Sequence, residues 1–367
     1  MILVNEPVLN GNEKKYLNEC IDTGWISSEG PFVKMFESQM ATYLDRRFAT
    51  ACSSGTAALD IAVAALGLKE GDEVIMPSFT IISCAQALTR LGVKPVVVDC
   101  DYSTFNMRVS DIEAVITKKT KAIMAVHIFG LTVDMDPLLD IAKKNNLKVI
   151  EDAAEVIGQD YKGKKCGSFG DISILSFYPN KHITTGEGGM VLCNDVYLDQ
   201  AAKKLRNLCF GPNRFVHDEI GFNYRMTNMQ AALGVAQLEN IQQVVVKKRL
   251  IGEMYDDLLG DLDMINLPIK ATSYCENIYW VYAITIKDDY GKTGQEMIDK
   301  LAAEGIGARP FFYPMHQQPV FKRMGLFKNQ NLPNSEKLYK KGFYIPSGLA
   351  LSQDQAGKVS SVLHDIL

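Results

Sequence analysis

The feature that most constrains this fold is a regular alternation of short apolar runs with helical patterns in the first half of the chain. Six apolar runs end at or near Cys52, Pro77, Asp99, His127, Asp152 and Phe177. Helical patterns separate the first five of these runs. Strands that alternate with helices favour a largely parallel sheet covered on both faces. We therefore expect functional side chains to gather where the strands end, as they do in open α/β sheets.

The second half of the chain indicates a smaller unit. A long helical pattern runs from Thr227 toward Leu259, and a helix of that length often bridges two domains. Beyond it follow one strand-like and two helical segments, at residues 278–286, 294–304 and 354–367. Because 367 residues are too many for one small core, we predict an α/β fold with two domains. The large domain would span residues 1–245 and the smaller C-terminal α/β domain residues 246–367.

Composition and charge exclude several classes of protein. Apolar content of 47% and charged content of 22% are typical of a globular protein, and a net charge of -4 gives no basic field for nucleic acid. No run of about 18 apolar residues predicts a membrane span. The N-terminus lacks the pattern of a secretory signal, so we expect a cytoplasmic protein. The eight cysteines form no C-x-x-C pair and the five histidines show no metal-ligand spacing. We therefore read the cysteines as buried reduced thiols and expect no metal site.

Lys181 is the most informative single residue. It ends the run Ser176-Phe-Tyr-Pro-Asn-Lys181 and lies between strand-like segments at residues 171–177 and 189–193. A lone lysine in a loop is usually a solvated surface charge. If Lys181 is buried, the low dielectric disfavours its ammonium form, and a neutral amine can form a Schiff base with a carbonyl. Enzymes that depend on pyridoxal phosphate (PLP) hold their cofactor in this way.

Two other segments support that hypothesis, and each has a simpler alternative. Asp152 ends an apolar run and is either a satisfied structural carboxylate or the group that keeps a pyridine nitrogen protonated. The run Cys52-Ser-Ser-Gly-Thr precedes an apolar helix, where free backbone N–H groups and the helix dipole attract a phosphate. The same residues are also typical of a plain helix N-cap. The phosphate interpretation gains support if the Ser176 hydroxyl faces the same point.

Three further motifs each allow a functional and a structural interpretation. Residues 158–165 match most of a P-loop, but Lys165 replaces the final Ser or Thr and no apolar helix follows, so we predict a hairpin turn instead. Arg225, which precedes the long helix, is either a solvated cation or a bidentate anion clamp. Residues 309–316 are rich in aromatic side chains and proline, and fit either a cleft wall or core packing of the small domain.

Together these runs resemble the DegT/DnrJ/EryC1/StrS family of sugar aminotransferases, which have the aspartate aminotransferase fold (fold type I). The resemblance covers nearly the whole chain. Its motifs here are Gly24-Trp-Ile-Ser-Ser, Ser53-Ser-Gly-Thr, Glu151-Asp-Ala-Ala, Ser176-Phe-Tyr-Pro-Asn-Lys, Gly186-Glu-Gly-Gly, Asn223-Tyr-Arg-Met-Thr-Asn and Tyr313-Pro-Met-His. The resemblance implies a large domain with a mostly parallel seven-stranded sheet, a smaller α/β C-terminal domain, and PLP as cofactor with pyridoxamine phosphate as its intermediate form.

The resemblance also implies roles for individual residues. Lys181 would carry the cofactor and shuttle a proton, and Asp152 would pair with the pyridine nitrogen. The implied cofactor-binding residues are Ser54, Gly55, Thr56, Ile81, Asp152, Glu155, Ser176, Lys181, Asn223 and Arg225. The implied substrate-binding residues are Trp25, Ser27, Glu155, Arg309, Tyr313 and His316. Asn223 and Arg225 would reach the partner subunit's site, which makes a homodimer with shared active sites the expected assembly.

One position departs from the family pattern. Ile81 stands where the family usually has an aromatic residue near the cofactor ring. Isoleucine packs on a ring by dispersion but cannot stack through a π system. Phe79, two residues earlier, is the candidate to compensate.

The reaction implied by the resemblance is transfer of an amino group from L-glutamate to C4 of a nucleotide-linked 4-keto-6-deoxy sugar. The favoured acceptor is GDP-4-keto-6-deoxymannose, which would give GDP-perosamine; UDP- and dTDP-linked sugars are alternatives. Three other interpretations stay open. The chain could be a dehydratase or epimerase on the same fold, or a non-enzymatic regulator with the PLP fold. It could also be a generic amino-acid aminotransferase with Arg309 as carboxylate clamp. A dehydratase branch of the family has histidine at the lysine position, so the presence of Lys181 favours transamination.

Overall fold

The computed structural model describes residues 1–213 and 215–367. The helices are α1 (Glu13–Thr23), α2 (Pro31–Tyr43), α3 (Gly55–Ala65), α4 (Ser83–Arg90), α5 (Ile112–Val115), α6 (Met135–Lys144), α7 (Val196–Arg206), α8 (Asn228–Glu239), α9 (Ile241–Leu259), α10 (Gly294–Ala303), α11 (Pro319–Arg323), α12 (Pro333–Lys341) and α13 (Gln353–Ile366). The strands are β1 (Phe48–Cys52), β2 (Glu73–Pro77), β3 (Lys94–Val98), β4 (Thr120–Val126), β5 (Lys148–Asp152), β6 (Asp160–Tyr161), β7 (Lys164–Lys165), β8 (Ile172–Ser176), β9 (Gly189–Cys193), β10 (Ile265–Asn266), β11 (Tyr282–Ile286), β12 (Arg309–Pro310) and β13 (Gly342–Ile345).

The large sheet has seven strands in the order β1-β9-β8-β5-β4-β2-β3. Strands β3, β2, β4, β5 and β8 run parallel, and β9 is antiparallel to both of its neighbours. The predicted α/β fold with a mostly parallel seven-stranded sheet is therefore confirmed. Because parallel strands end at one edge, the ends of β5 and β8 lie side by side, with Asp152 opposite Ile174 in the register.

Both faces of the large sheet are covered, which explains why its strands are nearly continuous apolar runs. On one face α1, α2 and α8 pack together, and Phe36 of α2 contacts Phe177 with ring centroids 5.0 Å apart. On the other face α3 and α4 pack over the strands, with Leu59 and Ile61 fully buried. This packing fixes the N-terminus of α3 beside the end of β8 and the start of β9.

A second, four-stranded antiparallel sheet has the order β10-β11-β13-β12 and its own apolar cluster with α9, α10 and α13. Ile2 joins this cluster and forms a parallel bridge with Ile306. The backbone N–H of Ser347 donates to the Val4 carbonyl (3.1 Å). The first residues of the chain thus pack with the C-terminal sheet, while the division into domains at residues 245 and 246, within α9, stays a prediction.

Two elements differ from the sequence expectation. The long helix expected from Thr227 to Leu259 is interrupted at Asn240, which leaves the helical conformation and whose side-chain amide donates to the Ala236 carbonyl. Asparagine interrupts helices because its side chain competes for nearby backbone groups. The strand expected at residues 278–286 is regular only from Tyr282, since Tyr279 has a φ of 46° and its N–H bonds to the Asn277 side chain.

Other expectations are confirmed. The segment that resembled a P-loop forms the β6–β7 hairpin, and all eight cysteines are buried free thiols. Among the described residues, no helix combines the length and the apolar character needed to cross a bilayer.

Lys248 of α9 is a buried lysine and gives the first testable prediction. Its Nζ donates to the carbonyls of Trp280 (3.1 Å) and Ser347, and burial lowers its pKa to about 7. The unfolded chain keeps this proton up to about pH 10.4. Keeping the Lys248 amine buried therefore lowers the free energy of unfolding by an amount that depends on pH. This loss is zero above the pKa of Lys248 in the unfolded chain and grows as the pH falls. It becomes constant below the pKa of Lys248 in the folded protein.

We therefore expect the parent protein to gain stability relative to Lys248→Met as the pH rises from about 7 to about 10, by up to about 1.4 kcal/mol per pH unit. Urea unfolding of both proteins across this range measures the difference. Loss of the two Lys248 hydrogen bonds changes the free energy of unfolding by an amount that does not depend on pH. The slope of the stability difference against pH is therefore the quantity that tests the prediction. Parallel pH profiles would contradict the prediction.

Candidate active site

The ends of the parallel strands open into a cavity of about 330 Å³, where the large sheet meets the C-terminal sheet. Strands β5 and β8 end here, and α3 begins here. The lining residues are Ser54, Gly55, Thr56, Leu59, Thr80, Ile81, Ser83, Val126, Asp152, Ala154, Glu155, Ile174, Ser176, Tyr178, Asn180, Lys181, Glu187, Trp280, Phe312 and Tyr344. The cavity thus brings together Lys181, Asp152 and the start of α3, as the sequence predicted.

The N-terminus of α3 forms one end of this cavity. Ser54 is its N-cap, and the Ser54 hydroxyl accepts a hydrogen bond from the Ala57 N–H (3.1 Å). Within the described residues the N–H groups of Gly55 and Thr56 have no hydrogen-bond acceptor, and the Ser176 hydroxyl has no partner. A Cβ on Gly55 would lie 2.7 Å from the Ser176 Cβ, so only glycine allows this approach. Unpaired N–H groups beside a hydroxyl at a helix N-terminus are suited to bind a phosphate.

The Lys181 amine lines the cavity together with the carboxylates of Asp152 and Glu155. Its Nζ is 3.7 Å from Glu155 Oε1, and both side chains are about nine-tenths buried. Burial lowers the pKa of Lys181, although Glu155 and Asp152 oppose the shift. Burial likewise raises the pKa of Glu155, whose Oε2 accepts a hydrogen bond from the Phe129 N–H (2.9 Å). Burial therefore disfavours the ammonium form of Lys181, as the sequence hypothesis required.

Asp152 is a buried carboxylate held by two donors. Its Oδ1 accepts from the Ala154 N–H (3.1 Å) and its Oδ2 from the Cys84 thiol (3.4 Å). Burial raises the pKa of Asp152, while the Ala154 N–H, Lys181 and the Cys84 thiol oppose the shift. The hydrogen bonds fix the direction of the carboxylate toward the cavity that Lys181 also lines.

Aromatic side chains from the C-terminal part of the chain close the cavity opposite the large sheet. Trp280, Phe312 and Tyr344 line it, and Ile81 faces it with 43% of its surface exposed. Phe79 does not compensate for the missing aromatic residue at position 81. It is fully buried among Phe105, Phe129, Phe311 and Phe312, and does not line the cavity.

Comparison with known proteins decides the family. Residues 7–364 match the model of the DegT/DnrJ/EryC1/StrS aminotransferase family. The chain belongs to this family. It is 42% identical to GDP-perosamine synthase from Caulobacter vibrioides, over 100% of this chain and 98% of that protein, and 43% identical to GDP-perosamine synthase from Escherichia coli O157:H7, over 96% and 95%. The crystal structure of a DegT DnrJ EryC1 StrS aminotransferase from Brucella abortus matches with a TM-score of 0.88 at 28% identity, over 96% of this chain and 95% of that one.

As a member of the DegT/DnrJ/EryC1/StrS family, the chain is a PLP-dependent sugar aminotransferase. The cavity fits this cofactor on observations of its own. It has unpaired backbone N–H donors at the start of α3, a buried amine at Lys181, and a buried carboxylate at Asp152. These are the three groups that PLP requires for its phosphate, its aldehyde carbon and its ring nitrogen.

The close approach of Gly55 to Ser176 gives the second prediction. A methyl group at position 55 would force α3 and β8 apart, and overpacking of this kind typically costs about 1–3 kcal/mol. We expect Gly55→Ala to weaken PLP binding by about ten- to a hundredfold, measured by fluorescence titration of the cofactor-free protein. Gly357→Ala in α13 is the matched control, because a Cβ there would meet no atom within 4 Å. Equal dissociation constants for Gly55→Ala and the control would contradict the prediction.

Seven of the predicted family residues do not line the cavity, namely Trp25, Ser27, Asn223, Arg225, Arg309, Tyr313 and His316. Trp25, Ser27 and Arg225 line a separate groove of about 870 Å³, which we call the Trp25 groove. Its lining residues are Gly24, Trp25, Ile26, Ser27, Ser28, Glu29, Val33, Arg206, Asn207, Leu208, Phe210, Gly211, Pro212, Arg225 and Met226. Arg225 donates to the Asn207 side chain (2.7 Å), and Asn223 pairs with Asn207 through the backbone. About half of the Trp25 surface is exposed, an unusual state for a tryptophan.

The predicted substrate residues of the 309–316 segment are separated by the structure. Arg309 is exposed on β12 and pairs in register with Tyr344, which places it beside the cavity wall. Tyr313 packs edge-to-face on Tyr339, outside the cavity. His316 is buried between Ser78 (2.8 Å) and Glu336 (3.0 Å). His316 is therefore an internal hydrogen-bonding residue and does not line the cavity.

Sequence reasoning missed several lining residues. Trp280 precedes β11 and Tyr344 lies within β13, and no motif connects them with Lys181. The aromatic run at residues 309–316 was recognised as a cleft wall or core packing, and both occur: Phe312 lines the cavity while Phe311 is buried behind it. Only the tertiary arrangement reveals which aromatic residue faces which way.

Proposed function

We propose that this aminotransferase transfers the amino group of L-glutamate to C4 of GDP-4-keto-6-deoxymannose and so forms GDP-perosamine. The observation that carries the proposal is the cavity that unites Lys181, Glu155, Asp152 and the N-terminus of α3. Its substrate class is supported by the relatives named GDP-perosamine synthase, which are 39–43% identical over nearly the whole chain. Glu155 supports it further, because the family resemblance associates glutamate at this position with the perosamine enzymes.

Bound PLP supplies an electron sink for the carbanion that forms when a proton leaves the amino donor. The protein's own residues do the rest. Ser176 and the N–H groups of Gly55 and Thr56 bind the phosphate, and Asp152 stabilises positive charge at the ring nitrogen. Lys181 holds the cofactor through its Nζ and, when free, moves the proton as general base and then general acid. Glu155, 3.7 Å away, balances the charge of that amine.

The donor and the assembly are parts of the same proposal. Arg309 provides a guanidinium beside the cavity wall, which suits the carboxylate of L-glutamate. The Trp25 groove combines exposed Trp25 and Ile26 with Arg225, and we propose that a second copy of this chain covers it. Trp25, Ser27 and Arg225, with Asn223 next to the groove, would then act at or near the partner's cavity in a homodimer.

The experiment that tests the function uses glutamate labelled with a heavy nitrogen isotope and GDP-, UDP- and dTDP-linked 4-keto-6-deoxy sugars. The proposal expects label in a GDP-linked amino sugar and slower transfer to the other nucleotides. A sugar product without nitrogen would indicate a dehydratase or epimerase and overturn the proposal. Faster amination of a 2-oxo acid than of any sugar would indicate an amino-acid aminotransferase instead.

The shared site has a separate test. If each cavity needs Arg225 from the partner, then mixed dimers of Lys181→Ala and Arg225→Ala subunits contain one cavity with both residues intact. Activity should therefore rise after the two inactive proteins are dissociated and reassembled together, relative to each alone. No recovery in verified mixed dimers would refute the shared arrangement.

A further inference from the structure

The indole ring of Trp280 lies against the Lys181 amine. The Lys181 Nζ lies 3.8 Å from the centroid of the Trp280 ring. A cation within about 6 Å of an indole face is attracted by the electron density of the ring, more strongly where water is excluded. Trp280 is only 6% exposed, so this contact lies in such an environment. The Lys181 amine is thus 3.7 Å from a Glu155 carboxylate oxygen and 3.8 Å from the centre of the Trp280 ring.

The indole is fixed in this position by contacts at several points. Its Nε1–H donates to the carbonyl of Asn180, the residue before Lys181 (2.7 Å). Its ring packs against Phe129 at 5.9 Å, and the Trp280 carbonyl accepts from the buried Lys248 amine (3.1 Å). The same side chain therefore contacts both the backbone that carries Lys181 and the amine at the end of Lys181.

We propose that Trp280 is a positioning residue for Lys181. Its indole face holds the Lys181 amine over the cavity, and favours the protonated amine, during the part of the reaction in which that amine is not bound to the cofactor. The N–H bond to Asn180 sets the distance between the indole and the lysine backbone. This inference rests on the proposed role of Lys181 as proton carrier, but not on the identity of the sugar or of the amino donor.

The physical need for such a contact follows from the burial of Lys181. Burial disfavours the ammonium form, so a buried lysine that must hold a proton requires compensating groups. The titratable groups that influence this amine are Glu155, Asp152 and Cys84. Glu155 and Asp152 attract the ammonium form but also titrate or contact the cofactor, whereas the attraction by an indole does not change with pH.

The test measures the protonation of Lys181 directly. Enzyme loaded with pyridoxamine phosphate leaves the Lys181 amine free, and competitive acetylation with acetic anhydride, analysed by peptide mass spectrometry, gives the pH midpoint of each lysine. In Trp280→Leu we expect the Lys181 midpoint to fall by about half to one pH unit, and in Trp280→Phe, which keeps a ring but lacks the N–H, by a smaller amount. Lys162, exposed at the tip of the β6–β7 hairpin, is the internal control and should not shift.

Kinetics provide the second measurement. Both variants should have a lower kcat with an unchanged KM for the sugar, since the contact orients Lys181 and not the substrate. An unchanged Lys181 midpoint in Trp280→Leu, or equal shifts in the leucine and phenylalanine variants, would overturn the proposal. If Trp280→Leu fails to fold, the Lys181 midpoint of Trp280→Phe is measured against the parent protein instead. A different sugar preference would refute the proposed substrate but leave the midpoint shift in place.

Discussion

Lys181→Ala is expected to lose sugar amination by a factor of about 10⁴ or more, because the covalent attachment of PLP and the general acid–base group disappear together. The side chain is buried between Glu155 and Trp280, so bulk water cannot easily replace its amine. Product formation from the keto sugar and glutamate measures the loss. Borohydride reduction followed by peptide mass spectrometry measures the attachment, with a phosphopyridoxyl group expected on the Lys181 peptide of the parent protein and on no peptide of Lys181→Ala.

The matched control is Lys162→Ala. Lys162 is an exposed lysine that forms a surface ion pair with Asp136, and surface pairs contribute little to stability. This variant should keep both its activity and its reducible attachment of PLP. Attachment of PLP to the Lys181→Ala protein after borohydride treatment, at another lysine and with activity retained, would rule out the assigned role of Lys181.

Asp152→Asn is expected to lower kcat by about 10²–10³, in the range seen when one preorganised electrostatic group of an active site is removed. The amide has nearly the same shape but no charge, so it cannot stabilise a protonated ring nitrogen. Lys181 remains in place, and the variant should still carry PLP that borohydride fixes to Lys181. Stopped-flow measurement of the reaction with glutamate alone separates this loss from any effect on sugar binding.

Asp136→Asn serves as the control for the change from carboxylate to amide, because Asp136 is an exposed residue of α6. It should react with glutamate at the parent rate. If Asp152→Asn matched this control, Asp152 would be the structural carboxylate that the sequence left as an alternative. Its hydrogen bonds from the Ala154 N–H and the Cys84 thiol would then account for its burial on their own.

Local patterns were sufficient to predict the large sheet and the groups at its edge. Each strand from β1 to β4 is a short apolar run followed by a turn and a helical pattern, and these signals depend on near neighbours in sequence. The parallel arrangement then determines that Asp152 and Ser176 lie at the same edge, since β5 and β8 are adjacent. Lys181 follows Ser176 so closely that its place near that edge was also predictable.

The opposite wall of the cavity could not be predicted in this way. Trp280, Phe312 and Tyr344 reach the cavity only because the C-terminal sheet packs against the large one, and no local pattern encodes that orientation. The break between α8 and α9 was missed because apolar spacing continues through Asn240, whose side chain nevertheless interrupts the helix. The sequence likewise could not show that Ile81 lines the cavity while Phe79 does not, because this depends on which side of the segment after β2 faces the cavity.

The pairing of Ile2 with Ile306 leads us to expect a late step in folding during translation. The large sheet is complete once β9 has left the ribosome, but Ile2 and Val4 must wait for their partners at Ile306 and Ser347. Contacts between residues so distant in sequence close slowly. The cavity wall formed by Trp280 and Tyr344 is synthesised equally late, so we infer that the nascent chain acquires its vitamin B6 cofactor only near the end of synthesis.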